Sequence, residues 1–199
     1  MNVIGPRLPV LFITLCGLAV PAALHGQASP LVLELHGGAS IPVSSFANGD
    51  RVGEGVATGA SFGVSFALAG AGRSTFYGGF SEHRFACSAA GCAADGEYVA
   101  TGFDVGFRFD LRSTGSVVPW IRLGAVTTKV DVPAMPGAEE GVSALGIGGE
   151  AGIGVYIGVF SPVALVPGIR VTAVNTELPG GSLLRMRYVV ADVALALAF

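Results

Sequence analysis

From Leu31 onward the chain repeats one pattern, with large apolar residues at every second position and small or polar residues between them. Such period-two alternation marks β-strands whose two faces meet different surroundings. The first strand falls near Leu31 to Gly38, where Leu31, Leu33 and Leu35 oppose Val32, Glu34 and His36. In the second, Ala60, Phe62, Val64, Phe66 and Leu68 alternate with Ser61, Gly63, Ser65 and Ala67. The third, near Thr75 to Phe85, sets Phe76, Gly78 and Phe80 against Tyr77, Gly79, Ser81 and His83. The fourth separates its faces best: Val99, Thr101, Phe103, Val105, Phe107, Phe109 and Leu111 oppose Gly102, Asp104, Gly106, Arg108 and Asp110. A fifth places Ile121, Leu123 and Ala125 opposite Trp120, Arg122 and Gly124. A sixth runs from Leu145 to Gly158, and a seventh alternates Leu165, Pro167, Ile169, Val171 and Ala173 with Val166, Gly168, Arg170 and Thr172. The closing strand puts Val189, Ala191, Val193, Leu195, Leu197 and Phe199 on one face, and Tyr188, Val190, Asp192, Ala194, Ala196 and Ala198 on the other.

The connections carry a second pattern. Long polar or Gly/Pro-rich stretches (Ser44–Asp50, Cys87–Gly96, Asp131–Gly141 and the segment around Pro179-Gly180-Gly181) alternate with short turns at Gly70–Arg73, Ser113–Ser116 and Phe160–Pro162. Alternating long loops and short turns around strands of about 10 to 15 residues suit a barrel that crosses a membrane with tilted strands. An even strand number returns both ends to the same side.

Facing decides between a membrane barrel and a soluble one. In a soluble barrel the apolar face points inward and the charged face meets water. Here the non-apolar face is mostly Gly, Ala and Ser with one or two charges per strand. Solvent sets no size limit on a side chain, whereas an eight-stranded lumen is just wide enough for side chains to fill. Small residues inside make room for Tyr, Trp and Arg from other walls. Phe76, Phe109, Phe160 and Phe199 all fall near the short-turn end, where they would form an interfacial girdle.

Composition agrees. Only 13% of the 199 residues are charged, 31 are glycine, and mean hydropathy is +0.66, whereas an ordinary soluble surface is about a quarter or more charged. Net charge is −3, which gives no footing for nucleic-acid binding. Arg7, the apolar run Leu8–Val20 and the small residues Gly26 and Ala28 read as a secretory signal peptide over residues 1–28. The run is too short for a transmembrane helix of about 20 residues. Residues 29–199 then form one domain. Cys87 and Cys92 are the cysteines of that mature chain, in an expected outward loop; export makes a disulfide between them the expected state.

Taken together, the leader, the eight alternating strands, the unequal connections and the terminal Phe199 resemble the small outer-membrane β-barrel proteins of the OmpA/OmpX type. The resemblance covers the whole mature chain and is one of pattern, without a precise motif. It implies an all-β, antiparallel up-and-down transmembrane barrel in the bacterial outer membrane. It also implies that the strand carrying Val193, Leu195, Leu197 and Phe199 is what the outer-membrane assembly machinery reads. Members serve as anchors, adhesion and immune-evasion proteins, small channels and a few lipid-modifying enzymes; the expectation here is no periplasmic anchoring domain after Phe199.

Candidate chemistry lies on the inner face: Glu34, His36, His83, Asp104, Arg108, Asp110, Arg122, Glu150, Arg170 and Asp192. Buried charge is costly unless paired, so a salt-bridge network filling the lumen is expected from Glu34, Asp104, Arg108, Asp110, Arg122, Glu150, Arg170 and Asp192. The same residues could instead line a narrow pore for small solutes. A hydrolase triad from Ser81, His83, His36 and Glu34 lacks a supporting local motif. Gly146-x-Gly148-x-x-Ala151 matches a dinucleotide fingerprint only on paper, because it lies within an alternating strand rather than at a strand–helix turn. The resulting expectation is a non-enzymatic barrel with no cofactor or metal, surrounded by outer-membrane lipid, with its loops available to an extracellular partner.

Overall fold

A computed structural model describes residues 31–44, 46, 55–70, 72–87, 96–112, 115–133, 141–178 and 180–199. Its strands, in chain order, are β1 (Leu31–Pro42), β2 (Val56–Ala57), β3 (Gly59–Ala69), β4 (Ser74–Cys87), β5 (Glu97–Asp110), β6 (Val117–Val132), β7 (Gly141–Val142), β8 (Gly146–Phe160), β9 (Val163–Glu177) and β10 (Leu183–Ala198). Eight of them make the wall. Each pairs antiparallel with its neighbours, β1–β3–β4–β5–β6–β8–β9–β10, and β10 returns to β1 along Val32↔Ala198 through Pro42↔Tyr188. The Phe199 amide donates to the Leu31 carbonyl at 2.9 Å, extending the seam by one bond. β2 and β7 are two-residue ladders on the ends of β4 and β6. Closure leaves the wall with no free edge, so its ladder amides and carbonyls are paired around the ring. Among the described residues there is no helix long and apolar enough to cross a membrane.

The two faces differ as the alternation requires. Leu35, Phe66, Phe103, Phe107, Leu123, Ile147 and Ile153 are exposed on the outside, while Tyr77, Trp120, Arg122, Glu150, Arg170 and Tyr188 are buried within. Inward glycines accept the bulk. A Cβ on Gly106 or Gly124 would overlap the Tyr77 hydroxyl, and one on Gly154 would overlap the Trp120 ring. Along the wall strands the outward charges gather at the long-loop end: Glu82 and Arg84 on β4, Glu97 on β5, Lys129 and Asp131 on β6, Glu177 on β9, and Arg185 and Arg187 on β10. Below that collar the outer wall is apolar.

Several boundaries differ from the sequence reading. β1 continues past Gly37-Gly38 to Pro42, and β6 keeps Asp131 in register opposite Val99. Asp131 looked like loop because it is charged, yet strands can stay paired above the apolar belt, where a charge meets water. The connection around Pro179 is not a long loop. It spans only residues 178–182, with Gly180 and Gly181 at φ 97° and 87° supplying the left-handed conformations of a tight turn. The aromatic distribution is also broader than a girdle. Phe76, Phe109, Phe160 and Phe199 do face outward near the short turns, but Phe62, Phe66, Phe80, Phe103 and Phe107 continue the stripe up β3, β4 and β5. Phe76 meets Phe107 edge-on with centroids 5.6 Å apart, and Phe80 meets Phe103 at 5.5 Å. Cys87 is disulfide-bonded. Cys92 and residues 1–28 lie outside the described residues.

Gly124→Ala is expected to lower barrel stability by about 1–3 kcal/mol through overpacking against Tyr77. Gly37→Ala, where an added Cβ meets nothing within 4 Å, should change it by less than about 0.5 kcal/mol. Urea unfolding midpoints of the two variants measure the difference.

Candidate functional site

The inward side chains stack in layers. At the long-loop end Phe46, Phe85, Tyr98, Val130, Leu184 and Met186 form an apolar plug, all fully buried or nearly so. Phe46 sits edge-on to Phe85 at 5.0 Å and to Tyr98 at 6.4 Å. Directly beneath it, His83 accepts or shares hydrogen bonds with Ser40 (3.0 Å) and Ser61 (2.9 Å) at Nδ1, and its ring lies 5.1 Å from Tyr188. At the short-turn end Trp120, Ala164, Val166, Ala194 and Ala196 form a second apolar cluster, with Val32 and Tyr156 against it. The charges occupy the band between.

That band is a continuous chain of contacts. Arg108 donates to Glu34 Oε1. His36 Nε2 lies 3.6 Å from Glu34 Oε2, and its Nδ1 lies 3.3 Å from Asp192 Oδ2. Arg170 donates to Asp192 at 2.6 Å and reaches Glu150 at 3.6 Å. Arg122 donates to Glu150 Oε1 and, at 3.1 Å, to Asp104 Oδ2. Tyr77 donates to Glu150 at 2.8 Å, and the Arg122 guanidinium stacks 4.0 Å from the Tyr77 ring centroid. Three guanidiniums thus face four carboxylates, with the His36 imidazole between two of the acids. The register explains why the arginines alternate with acids rather than clash. Arg108 and Arg122 are cross-strand partners on β5 and β6, yet they turn to different acids, Arg108 to Glu34 and Arg122 to Glu150 and Asp104.

The structure therefore brings together Glu34, Asp104, Arg108, Arg122, Glu150, Arg170 and Asp192. Asp110 stands apart. It is half-buried two residues closer to the mouth than Arg108, opposite Trp120, and among the described residues it makes no ion pair. There the lumen opens to solvent, so a carboxylate needs no partner. Val193, Leu195 and Leu197 all point outward along β10, with Phe199 beyond its last residue.

Sequence reading overlooked how the histidines are used. Ser81 hydrogen-bonds to neither of them, His83 being bonded to Ser40 and Ser61. Instead Ser65 Oγ lies 2.9 Å from His36 Nε2, whose Nδ1 faces Asp192. Ser65, His36 and Asp192 thus have the connectivity of a serine–histidine–acid triad. The surroundings do not suit catalysis. Ser65 is 3% exposed and also donates to Glu34 at 3.4 Å, and the adjoining cavity holds only about 10 Å³. That is water-sized, leaving no position for a carbonyl carbon and its oxyanion. Tyr77 and Trp120 fill the lumen where inward glycines make room, Tyr77 against Gly106 and Gly124 and Trp120 against Gly154 and Gly168. Gly146 and Gly148 lie within β8, a Cβ on either running into β9, so the fingerprint is a packing feature. Among the described residues no cluster could hold a metal ion.

A closed eight-stranded ladder, a filled lumen and an apolar outer wall define a small up-and-down barrel of the outer-membrane type. Solved structures share this fold. The crystal structure of Neisserial surface protein A aligns over 87% of this chain and 100% of that one, with TM-score 0.66 and 16% identity. The outer-membrane protein OprG of Pseudomonas aeruginosa aligns over 86% and 98%, with TM-score 0.62 and 10% identity. Outer-membrane protein AlkL, solved by solid-state NMR in DMPC lipid bilayers, aligns over 90% and 95%, with TM-score 0.57 and 8% identity. At these identities the likeness is one of fold. No protein-family description matches the sequence, and no curated protein sequence matches it significantly.

Removing one partner from the band should be far costlier than removing an exterior pair. Glu150→Ala leaves Arg122 and Arg170 facing each other with only Asp104 and Asp192, and is expected to cost about 3–5 kcal/mol. Arg84→Gln breaks the exposed Arg84–Glu82 pair at 2.7 Å and should cost about 1 kcal/mol or less. Denaturant titrations in detergent test the contrast.

Proposed function

We propose that this chain is an integral barrel of the bacterial outer membrane, non-enzymatic and non-conducting, whose role is structural or lies in surface interaction. The observation that carries the reading is the outer wall: an apolar belt on all eight strands, whose own outward charges gather at the long-loop end, around a lumen already filled. A water-soluble protein would leave this much contiguous apolar surface open to aggregation. In lipid the same surface is satisfied, and the closed ladder leaves no polar backbone to desolvate. The fold neighbours, described as outer-membrane or surface proteins, support the location.

In this reading residues 1–28 direct export, the long-loop end faces the cell exterior, and Cys87 pairs with Cys92 in the outward connection. The assembly machinery engages the outward face of β10, including Val193, Leu195, Leu197 and Phe199. The loops offer the surface for an extracellular partner. No cofactor is required. A passive channel is the weaker alternative, because the plug, the ion-pair band and the Trp120 layer lie in series along the axis.

Heat-modifiable gel migration of the membrane-extracted protein is the expected sign of a folded barrel; unchanged migration with recovery in the soluble periplasm would overturn the membrane reading. Purified protein in planar bilayers should give no steady conductance, and a stable open current would sink the filled-lumen role. Deleting Phe199 should reduce assembled protein in the outer membrane more than Asp104→Asn does, with equal yields counting against the assembly role.

A further inference from the structure

The outer wall is lopsided. Phe62 and Phe66 on β3, Phe76 and Phe80 on β4, and Phe103, Phe107 and Phe109 on β5 all face outward, each 40 to 65% exposed. Among the described residues the other outward rings are Phe160, which ends β8, and Phe199 after β10, both at the short-turn rim. Lipid contact gives no reason to gather phenylalanine on three neighbouring strands, since aliphatic side chains serve the other five. The rings also hold one another. Phe76 meets Phe107 and Phe80 meets Phe103 edge-on, while Phe107 stacks on Phe109 with centroids 6.4 Å apart. They make a rigid ridge.

The facing wall is hollowed. A shallow apolar groove of about 720 Å³ runs from Gly37 on β1 across Ala191 on β10, Pro167 on β9 and Ile153 on β8 to Ile121 on β6. Its centre is β9, which stands four strands round the ring from β4, the centre of the ridge. In a ring of eight that is directly across. Height matches as well. Phe80 is six residues from Ser74 at the short-turn end of β4, and Phe103 is seven from Asp110 on β5. Gly37 is six from Leu31, Ala191 seven from Ala198 and Ile153 seven from Phe160. From that level both features descend toward the short-turn rim. Copies of an exported barrel insert the same way up, so the ridge of one and the hollow of its neighbour lie at one depth.

We infer that the aromatic ridge of one copy seats in the hollow of a second copy of this chain, side by side in the membrane. Area supports that occupant. With about half of roughly 200 Å² exposed on each ring, the ridge offers about 700 Å², close to the roughly 800 Å² per partner of a standard stable interface. Within lipid there is no hydrophobic force between apolar walls, so association needs close packing and release of ordered lipid. Rigid rings in a fixed hollow supply both, whereas an acyl chain must itself be ordered to follow the groove. Like faces pair poorly: two hollows enclose a void, and two ridges hold their walls apart. The contact is therefore head-to-tail. Because the two patches lie on opposite walls, it does not close at two copies but continues as a row. The inference rests on the membrane reading above.

The test uses the full chain expressed into the outer membrane, with Val105→Cys on β5 and Val155→Cys on β8, each five residues from the short-turn end of its strand. Both copies run their strands round in the same sense, so facing walls meet in reverse order and β5 comes beside β8. A bismaleimide, which spares the native disulfide at Cys87, should link the double variant into dimers, trimers and longer ladders. Either single variant should stay monomeric. On that background Phe80→Ala with Phe103→Ala should lower the linked fraction on the order of tenfold, from the loss of two packed rings. Gly37→Leu with Ala191→Leu should lower it by filling the hollow, and Ile147→Ala, exposed above the hollow, should leave it unchanged. Heat-modifiable migration shows that each variant has folded. Dimers from a single-cysteine variant would overturn the head-to-tail contact, and undiminished linkage in the ring-less or filled variant would overturn the seat. Monomers throughout, in folded protein held in the membrane, would leave the hollow to lipid and remove this inference alone. Protein recovered outside the membrane would remove the membrane reading with it.

Discussion

The width of the lumen is the constraint on which everything else depends. Eight strands close around a space that side chains alone can fill, so every inward position is in competition for volume with residues on the opposite wall. Tyr77 can stand across the axis only because Gly106 and Gly124 give it room, and Trp120 only because Gly154 and Gly168 do. The arginines need length as well as space, since each must reach carboxylates on other strands. Glycine content, aromatic placement and charge pairing are thus consequences of one geometric limit. Polarity outside is set independently, because lipid-facing residues meet neither the lumen nor each other's volume.

The layers within that space divide the energetic work. The charged band is expensive to desolvate and returns its cost only when complete. The apolar clusters above and below it shield the pairs from water and gain burial in the ordinary way. Glu150 is central: Arg122, Arg170 and Tyr77 all address it. It holds β4, β6, β8 and β9 in one arrangement through the interior, independently of the ladder that joins them at the wall.

Much of the architecture was legible because a period of two is a strong signal when one face is uniformly apolar. Phe103, Val105, Phe107 and Phe109 announce their strand without help. The identity of the lumen charges was equally readable, since a charge amid inward glycines has few other places to be. Their pairing was not, because contact between β1 and β5 residues such as Glu34 and Arg108 depends on shear around the closed wall rather than on any local spacing. The plug was missed for a related reason: Tyr98, Leu184 and Met186 are ordinary apolar residues whose neighbours lie on distant strands. Asp131 and the segment around Pro179 were misplaced because local composition was read as the end of a strand. Above the belt, strands persist wherever their ladder continues, whatever the polarity of their side chains.

The plug at the long-loop end has a further consequence. It is built chiefly from residues on β4, β5, β6 and β10 near where those strands leave the wall, and it resembles the interior of a small soluble domain set into the top of a membrane anchor. The upper rim therefore carries its own cohesion, separate from the lipid and from the ion-pair band. Phe46, from the connection after β1, and Leu178, from the turn after β9, are built into this rim, so those two connections are tied to it by buried apolar contacts. The same eight strands are thus held inside by two unlike interactions, apolar packing at the upper rim and paired charge below it, so loss of one leaves the other in place.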